Sequence, residues 1–155
     1  MAGDMLKGFL AVKLSIFSPF VWTSEPFVNL QVFLGLAAVL GHIFPIWAEF
    51  RGGKGIATLF GMILSIQPIV AVSLVAVFIL MLFLTRYVSL SSITASIAFP
   101  LLILFIFKEH ELSYRLFSIS TAFLVVLTHH KNICRLLNGN ENKVPFFRKR
   151  RMRDH

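Results

Sequence analysis

The chain has 155 residues, 57% of them hydrophobic and only 14% charged, and its mean hydropathy is +0.80. Soluble domains lie nearer roughly 45–50% apolar and about a quarter charged, so an ordinary soluble fold is excluded. At about 20 residues per crossing the length allows roughly six or seven membrane spans, which leaves no room for a large extramembrane catalytic domain.

In chain order, residues 8–22 form the first apolar stretch, with Lys13 as its odd member, able to snorkel or to face a partner helix. A TSEP loop follows, and residues 28–47 are nearly long enough to span. The segment EFRGGKG is polar and glycine-rich and cannot lie in lipid as irregular backbone. Residues 56–84 are almost continuously apolar, broken by Gln67-Pro68, and Arg86 with SLSS marks the next break. Residues 92–107 and 116–128 are apolar on either side of KEHELSYR. Residues 1–145 read as one transmembrane domain and 146–155 as a basic tail.

Fifteen Lys and Arg oppose seven Asp and Glu. Eight of the fifteen lie beyond residue 130: Lys131, Arg135, Lys143, Arg148, Lys149, Arg150, Arg151 and Arg153. After an apolar segment, such a cluster anchors a cytoplasmic tail on anionic lipid, and no nucleic-acid partner is expected. The single cysteine, Cys134, allows no internal disulfide.

The stretch 56–84 decides the topology. As one helix it would put the glycine loop and the basic tail on opposite sides of the membrane. With a turn at Gln67-Pro68 it becomes two segments, 56–66 and 69–85, and Lys7, Arg51, Lys54, Arg86 and the tail cations share one face. The positive-inside rule prefers that arrangement. The cost is that 56–66 spans only about 16 Å as a helix and must be tilted or partly re-entrant. The expectation is an all-α membrane bundle of about six segments with both termini cytoplasmic.

Two constellations could carry chemistry. In the first, residues 41–58, Gly52, Gly53 and Gly55 let backbone N–H groups approach a ligand, Lys54 adds a cation, and a helix then opens at Gly55-Ile56 with its positive dipole end forward. This describes a phosphate cradle but not a Walker loop, because Gly55 follows the lysine where Ser or Thr is needed. The same residues also fit an interfacial turn. In the second, residues 129–143, a helix would put His129, Asn132 and, less closely, Arg135 on one face. That face offers an imidazole, an amide and a guanidinium to one ligand. Gly139 suits a helix stop, and Glu141 could orient a cation or Asn132. Alone, this reads equally as a membrane-exit helix in the headgroup zone. The topology puts both constellations on one face. His42, near the end of a span, reads as a buried hydrogen-bonded group, and Trp22 and Trp47 as interfacial anchors. The histidines lack metal-ligand spacing, so no zinc site is expected, and no G-x-S-x-G motif is present.

These residues resemble the PlsY family, the bacterial membrane acyl-phosphate:glycerol-3-phosphate acyltransferases. The carrying motifs are Gly41-His42-x-Phe44-Pro45-x-Trp47 running into Gly52-Gly53-Lys54-Gly55-Ile56-Ala57-Thr58, and His129-x-x-Asn132-Ile133-x-Arg135-Leu136-x-x-Gly139-x-Glu141-x-Lys143. Asp4-Met5-Leu6-Lys7-Gly8 also looks like the start of a family helix. The resemblance implies transfer of a fatty acyl group from acyl phosphate to the 1-hydroxyl of glycerol 3-phosphate, giving lysophosphatidic acid and phosphate at the cytoplasmic face of a bacterial inner membrane. It implies no cofactor or metal, membrane lipid as surroundings, and a monomer. The implied site has His129, Lys54 and Asn132 as catalytic groups. Gly52, Gly53, Lys54, Gly55, Thr58 and Arg135 would bind substrate phosphate, with His42, Arg51 and Glu141 in support. The hydroxyl proton goes to His129 or to a substrate phosphate, and the sequence leaves both open. The family's additional first span, with its S-G-N-x-G-A-T-N-x-x-R loop, is not found in these residues. The alternatives are a catalytically silent remnant and a small anion transporter, the latter suggested by Lys13.

Overall fold

The computed structural model describes residues 2–22, 24–44 and 53–145. Among them the chain is helical throughout, with no strand. Helix α1 (Ala2–Lys13) runs into a 3-10 turn, Leu14–Phe17. Helices α2 (Glu25–Ile43), α3 (Ile56–Ile66), α4 (Pro68–Thr85) and α5 (Val88–Leu101) follow, and α5 continues as a π-helical turn, Leu102–Ile106. Helices α6 (Leu112–Thr128) and α7 (His130–Leu137) are bent by 61° at His129.

All six expected segments are helices, with shifted ends that have local causes. The first begins earlier than residue 8 and stops well before 22, because Ser18 precedes Pro19 and is held extended (φ −77°, ψ 154°). Pro26 sits in the first turn of α2, where its missing N–H costs nothing. The SLSS tract proves to be helix: Ser91 and Ser92 donate to the carbonyls of Tyr87 and Val88, so their hydroxyls are satisfied within α5. Pro100 cannot donate to the α-helical ladder, and the loosened turn that follows closes by Phe107 N–H to Leu102 C=O, five residues back. The break at Gln67-Pro68 is real, with Pro68 opening α4.

Among the described residues, α2, α4 and the α5–π run are each long and apolar enough to cross a bilayer; a fourth crossing follows if α6 and α7 form one bent span. Helix α3, at 11 residues, is too short to cross alone. It is wedged against α1 instead. A Cβ at Gly8 would overlap the Thr58 carbonyl, and one at Gly61 would overlap the Met5 carbonyl. The two backbones therefore touch, as small residues permit in membrane helices. The core joins Val12, Val39, Leu59, Met62, Val70, Phe99, Phe117 and Val125. Phe33, Ile69, Phe83, Phe105 and Phe123 point outward in an apolar belt far too large for a soluble monomer and suited to lipid.

Hydrogen bonds fix which helix ends lie together. At one end Lys54, before α3, meets Asn132 on α7, and Val144 N–H bonds the carbonyl of Arg86 in the α4–α5 turn. At the other, Gln67 bonds Glu109, and Ser113 meets Asn29. Four helices separate Lys54 from His129, an even number, so the chain returns to the same end. This is the arrangement that the charge argument required.

Candidate active site: a lysine, an amide and a histidine at one end of the bundle

The site starts from two positions that favour glycine, one by its backbone conformation and one by a close approach. Gly55 has φ 78° and turns the chain into α3, packing on Ile43 and Val39 of α2. A Cβ at Gly53 would collide with Nε2 of His42, so the imidazole lies directly against the loop. His42 in turn places Nδ1 3.5 Å from the carboxylate of Asp4, which also lies 3.6 Å from Lys7. Because α3 is preceded by this loop, the first N–H groups of the helix face the site end unpaired within the helix.

Helix α7 supplies the opposite wall. It ends in a Schellman motif: Gly139 has φ 70°, Gly139 N–H bonds Leu136 C=O, and Asn140 N–H bonds Arg135 C=O. This reversal folds residues 141–144 back onto the bundle. The Glu141 carboxylate then accepts from Ser89 Oγ and Asn132 Nδ2, each at 2.7 Å, and from Arg135 Nε at 2.6 Å. Lys143 lies over the Tyr87 ring, 5.3 Å from its centre. These three bonds, Arg135 first, hold the Glu141 carboxyl down at about 2, so it is an anion at any physiological pH.

Glu141 thereby fixes the Asn132 amide. Its NH2 faces the carboxylate and its oxygen faces outward, where it accepts from Lys54 Nζ at 2.7 Å. Partial burial pulls the Lys54 ammonium below its ordinary value, while Glu141 opposes that shift and Arg135 adds to it. His129 sits just past the last residue of α6 and is 2% exposed. Its Nδ1 lies 2.9 Å from the Val125 carbonyl, which can only accept. The neutral ring therefore carries its proton on Nδ1 and leaves Nε2 as a lone pair. Burial lowers the His129 pKa below 6.5 and the nearby Lys54 charge adds to this, against the Val125 bond and Glu141. The ring is neutral at pH 7.

The structure thus brings Lys54, His129, Asn132, Arg135 and Glu141 together, with Gly53 and Gly55 in the adjoining loop. Thr58, expected among the phosphate ligands, lies one turn deeper and is fully buried, with its carbonyl against α1 at Gly8. Arg51, Gly52, Trp47 and the tail from 146 lie outside the described residues. Ser89 is the residue that sequence reasoning passed over. It stood in a tract read as a break, and only the 52-residue separation closed by its bond to Glu141 gives it a role. Among the described residues no group of three or more His, Cys, Asp or Glu could hold a metal.

The chain is thus a membrane-embedded helical bundle that presents a cation, an oriented amide and a neutral imidazole beside a glycine-led helix start. The family described as glycerol-3-phosphate acyltransferase matches residues 1–139, and the chain belongs to that family. It is 42% identical over 145 residues to the glycerol-3-phosphate acyltransferase of Fusobacterium nucleatum subsp. nucleatum, covering 92% of this chain and 70% of the relative. It is 38% identical over 143 residues to that of Trichlorobacter lovleyi, with the same coverage. The crystal structure of PlsY (YgiH), described as an integral membrane glycerol 3-phosphate acyltransferase, superposes in its glycerol 3-phosphate form with a TM-score of 0.80 at 35% identity, covering 92% of this chain and 68% of that one. Its lysophosphatidic acid form superposes equally well.

Proposed function

We propose that this membrane acyltransferase moves a fatty acyl group from acyl phosphate to the 1-hydroxyl of glycerol 3-phosphate, giving lysophosphatidic acid and inorganic phosphate for phospholipid synthesis. The observation that carries the site assignment is the Lys54–Asn132 hydrogen bond, which joins two motifs 78 residues apart. The active face is the cytoplasmic face of a bacterial inner membrane, where Lys7, Lys54, Arg86, Lys131, Arg135 and Lys143 gather at one end of the bundle.

The chemistry asks little covalent work of the protein. Acyl phosphate is a mixed anhydride, so its carbonyl is already activated and phosphate is its leaving group. The 1-hydroxyl oxygen attacks the carbonyl carbon, the bond from that carbon to the phosphate oxygen breaks, and the hydroxyl proton must be removed. The barrier lies in bringing together two anions that repel each other. Lys54, Arg135 and the N–H groups opening α3 supply the offsetting charge, and fixing the reactants side by side supplies the rest. His129 Nε2, unprotonated and held by Val125, takes the proton. Asn132 holds the Lys54 ammonium at the phosphate, and Glu141 holds Asn132.

The cavity beside the cluster suits the second half of the donor. It measures about 360 Å³ and is walled by side chains of α1, α3, α4, α5 and α6. Ile56 and Ala57, which line it, directly follow Lys54-Gly55. Val125, on its other wall, is the residue that holds His129. A phosphate at Lys54 would thus direct its acyl tail into the bundle.

Membranes carrying the chain, supplied with acyl phosphate and glycerol 3-phosphate, are expected to release lysophosphatidic acid and phosphate in equal amounts. Lys54→Ala and His129→Ala are each expected to abolish most of that release. Full activity in both variants would remove the proposed site.

A further inference from the structure

The apolar cavity has a floor. Its deepest lining residues are Leu74 on α4 and Phe99 on α5. Leu74 lies eleven residues before Thr85, where α4 ends, and Phe99 lies eleven residues after Val88, where α5 begins. At about 1.5 Å per residue, both are roughly 16 Å below the turn that joins the two helices. One leaflet of a hydrocarbon core about 30 Å thick is roughly 15 Å deep. The cavity therefore ends at the depth of one leaflet's chains.

Phe99 closes that end with a rigid surface. It is fully buried and stands edge-on to Phe117 and Tyr114, with ring centres at 5.6 Å and 5.9 Å. Above it the wall of α5 is made of small residues, Ser92, Ala95 and Ser96, which leave the space open. Ala95, seven residues after Val88, marks a depth of about 10 Å.

From this geometry we propose that Leu74 and Phe99 set the acyl-chain length the enzyme accepts, by stopping the terminal methyl at the depth of a single leaflet. The proposal rests on the acyl-transfer reading above. A chain that fits fills the cavity. Each methylene forced out of it forfeits apolar burial, a factor of about four in kcat/KM.

The test uses donors of eight to eighteen carbons with the full chain in lipid nanodiscs. Ala95→Leu, which narrows the cavity at mid-depth, is expected to shift preference toward shorter donors by at least about tenfold in the ratio of ten- to sixteen-carbon kcat/KM. Phe99→Leu, which deepens the floor, is expected to shift it toward longer ones. Wild-type length preference in both variants would overturn the proposal. A second readout does not need turnover: hexadecyl phosphonate carrying a diazirine on its terminal carbon is photolysed in the wild-type protein. Cross-links to Leu74 or Phe99 support the floor even if no transfer is detected, in which case the transfer reading alone falls. Cross-links confined to outward-facing Ile79 and Phe83, with transfer intact, overturn the floor and leave the transfer reading standing.

Discussion

Glu141→Gln isolates one link in the site. The substitution keeps the shape of the side chain and removes its charge. Oε1 accepts two hydrogen bonds, from Ser89 and Asn132, and Oε2 accepts one from Arg135. An amide in that place offers a single oxygen, so its NH2 must confront either Arg135 or the Ser89–Asn132 pair. If the oxygen stays with Arg135, the Asn132 NH2 loses its acceptor and the amide is free to turn its own NH2 toward Lys54. A hydrogen bond to a charged group contributes about 1.5–3 kcal/mol, and each 1.36 kcal/mol is about tenfold in rate. A drop of roughly 10- to 100-fold in kcat/KM is therefore expected. The assay is lysophosphatidic acid formation at several glycerol 3-phosphate concentrations, with a detergent melting curve to confirm the fold. Because Glu141 titrates down at about 2, the deficit should be constant from pH 5 to 9. Wild-type kinetics, or a deficit that disappears with pH, would refute the claim that Glu141 acts by orienting Asn132.

Three further outcomes follow from the same geometry. Lys54→Arg keeps the charge but lacks the compact ammonium that reaches Asn132 at 2.7 Å; KM for glycerol 3-phosphate is expected to rise about tenfold or more, and an unchanged KM would count against phosphate binding there. The His129 pKa is lowered below 6.5, chiefly by burial, and the base must be neutral. Activity is then full above the ordinary histidine range and falls only as pH drops through the lowered value, so the acid limb of kcat should lie below 6.5 and vanish in the residual rate of His129→Gln; a limb at or above 6.5 would contradict the assignment. Gly8→Val would drive a side chain into the Thr58 carbonyl. Overpacking of this kind costs about 1–3 kcal/mol, seen as a lower melting temperature in detergent, whereas the same change at exposed Gly3, which has open space around it, should leave melting unchanged.

Much of this architecture was legible because a bilayer imposes strong rules. Apolar runs located the six expected segments, though not α7, and the positive-inside rule chose the turn at Gln67-Pro68 over a single long helix from 56 to 84. The contacts at both ends of the bundle agree with that choice. Helix ends are less legible in the sequence, since polar residues within a membrane helix look like breaks. Ser91 and Ser92 satisfy themselves within the helix, and Tyr114 and Arg115 lie inside α6, so local polarity did not mark the boundary. Helical spacing put Asn132 and Arg135 together on α7, whereas His129 lies at the bend before that helix rather than on its face. A cation or Asn132 beside Glu141 was already an expectation, and Glu141 bonds both Arg135 and Asn132; its bond to Ser89 was not legible, because the carboxylate reaches Ser89 only through the Schellman reversal at Gly139. The Asp4–His42 pair was likewise hidden, since it depends on how α1 lies against α2.

The central claim is that the glycine loop and the histidine helix form one phosphate site rather than two surface features. A double-mutant cycle on Lys54→Ala and Asn132→Ala, read as kcat/KM for glycerol 3-phosphate, tests it most directly. Groups in contact typically couple by about 0.5–3 kcal/mol, while independent sites add to within about 0.5 kcal/mol. The double variant is expected to be little worse than the poorer single variant. Losses that simply multiply would contradict it.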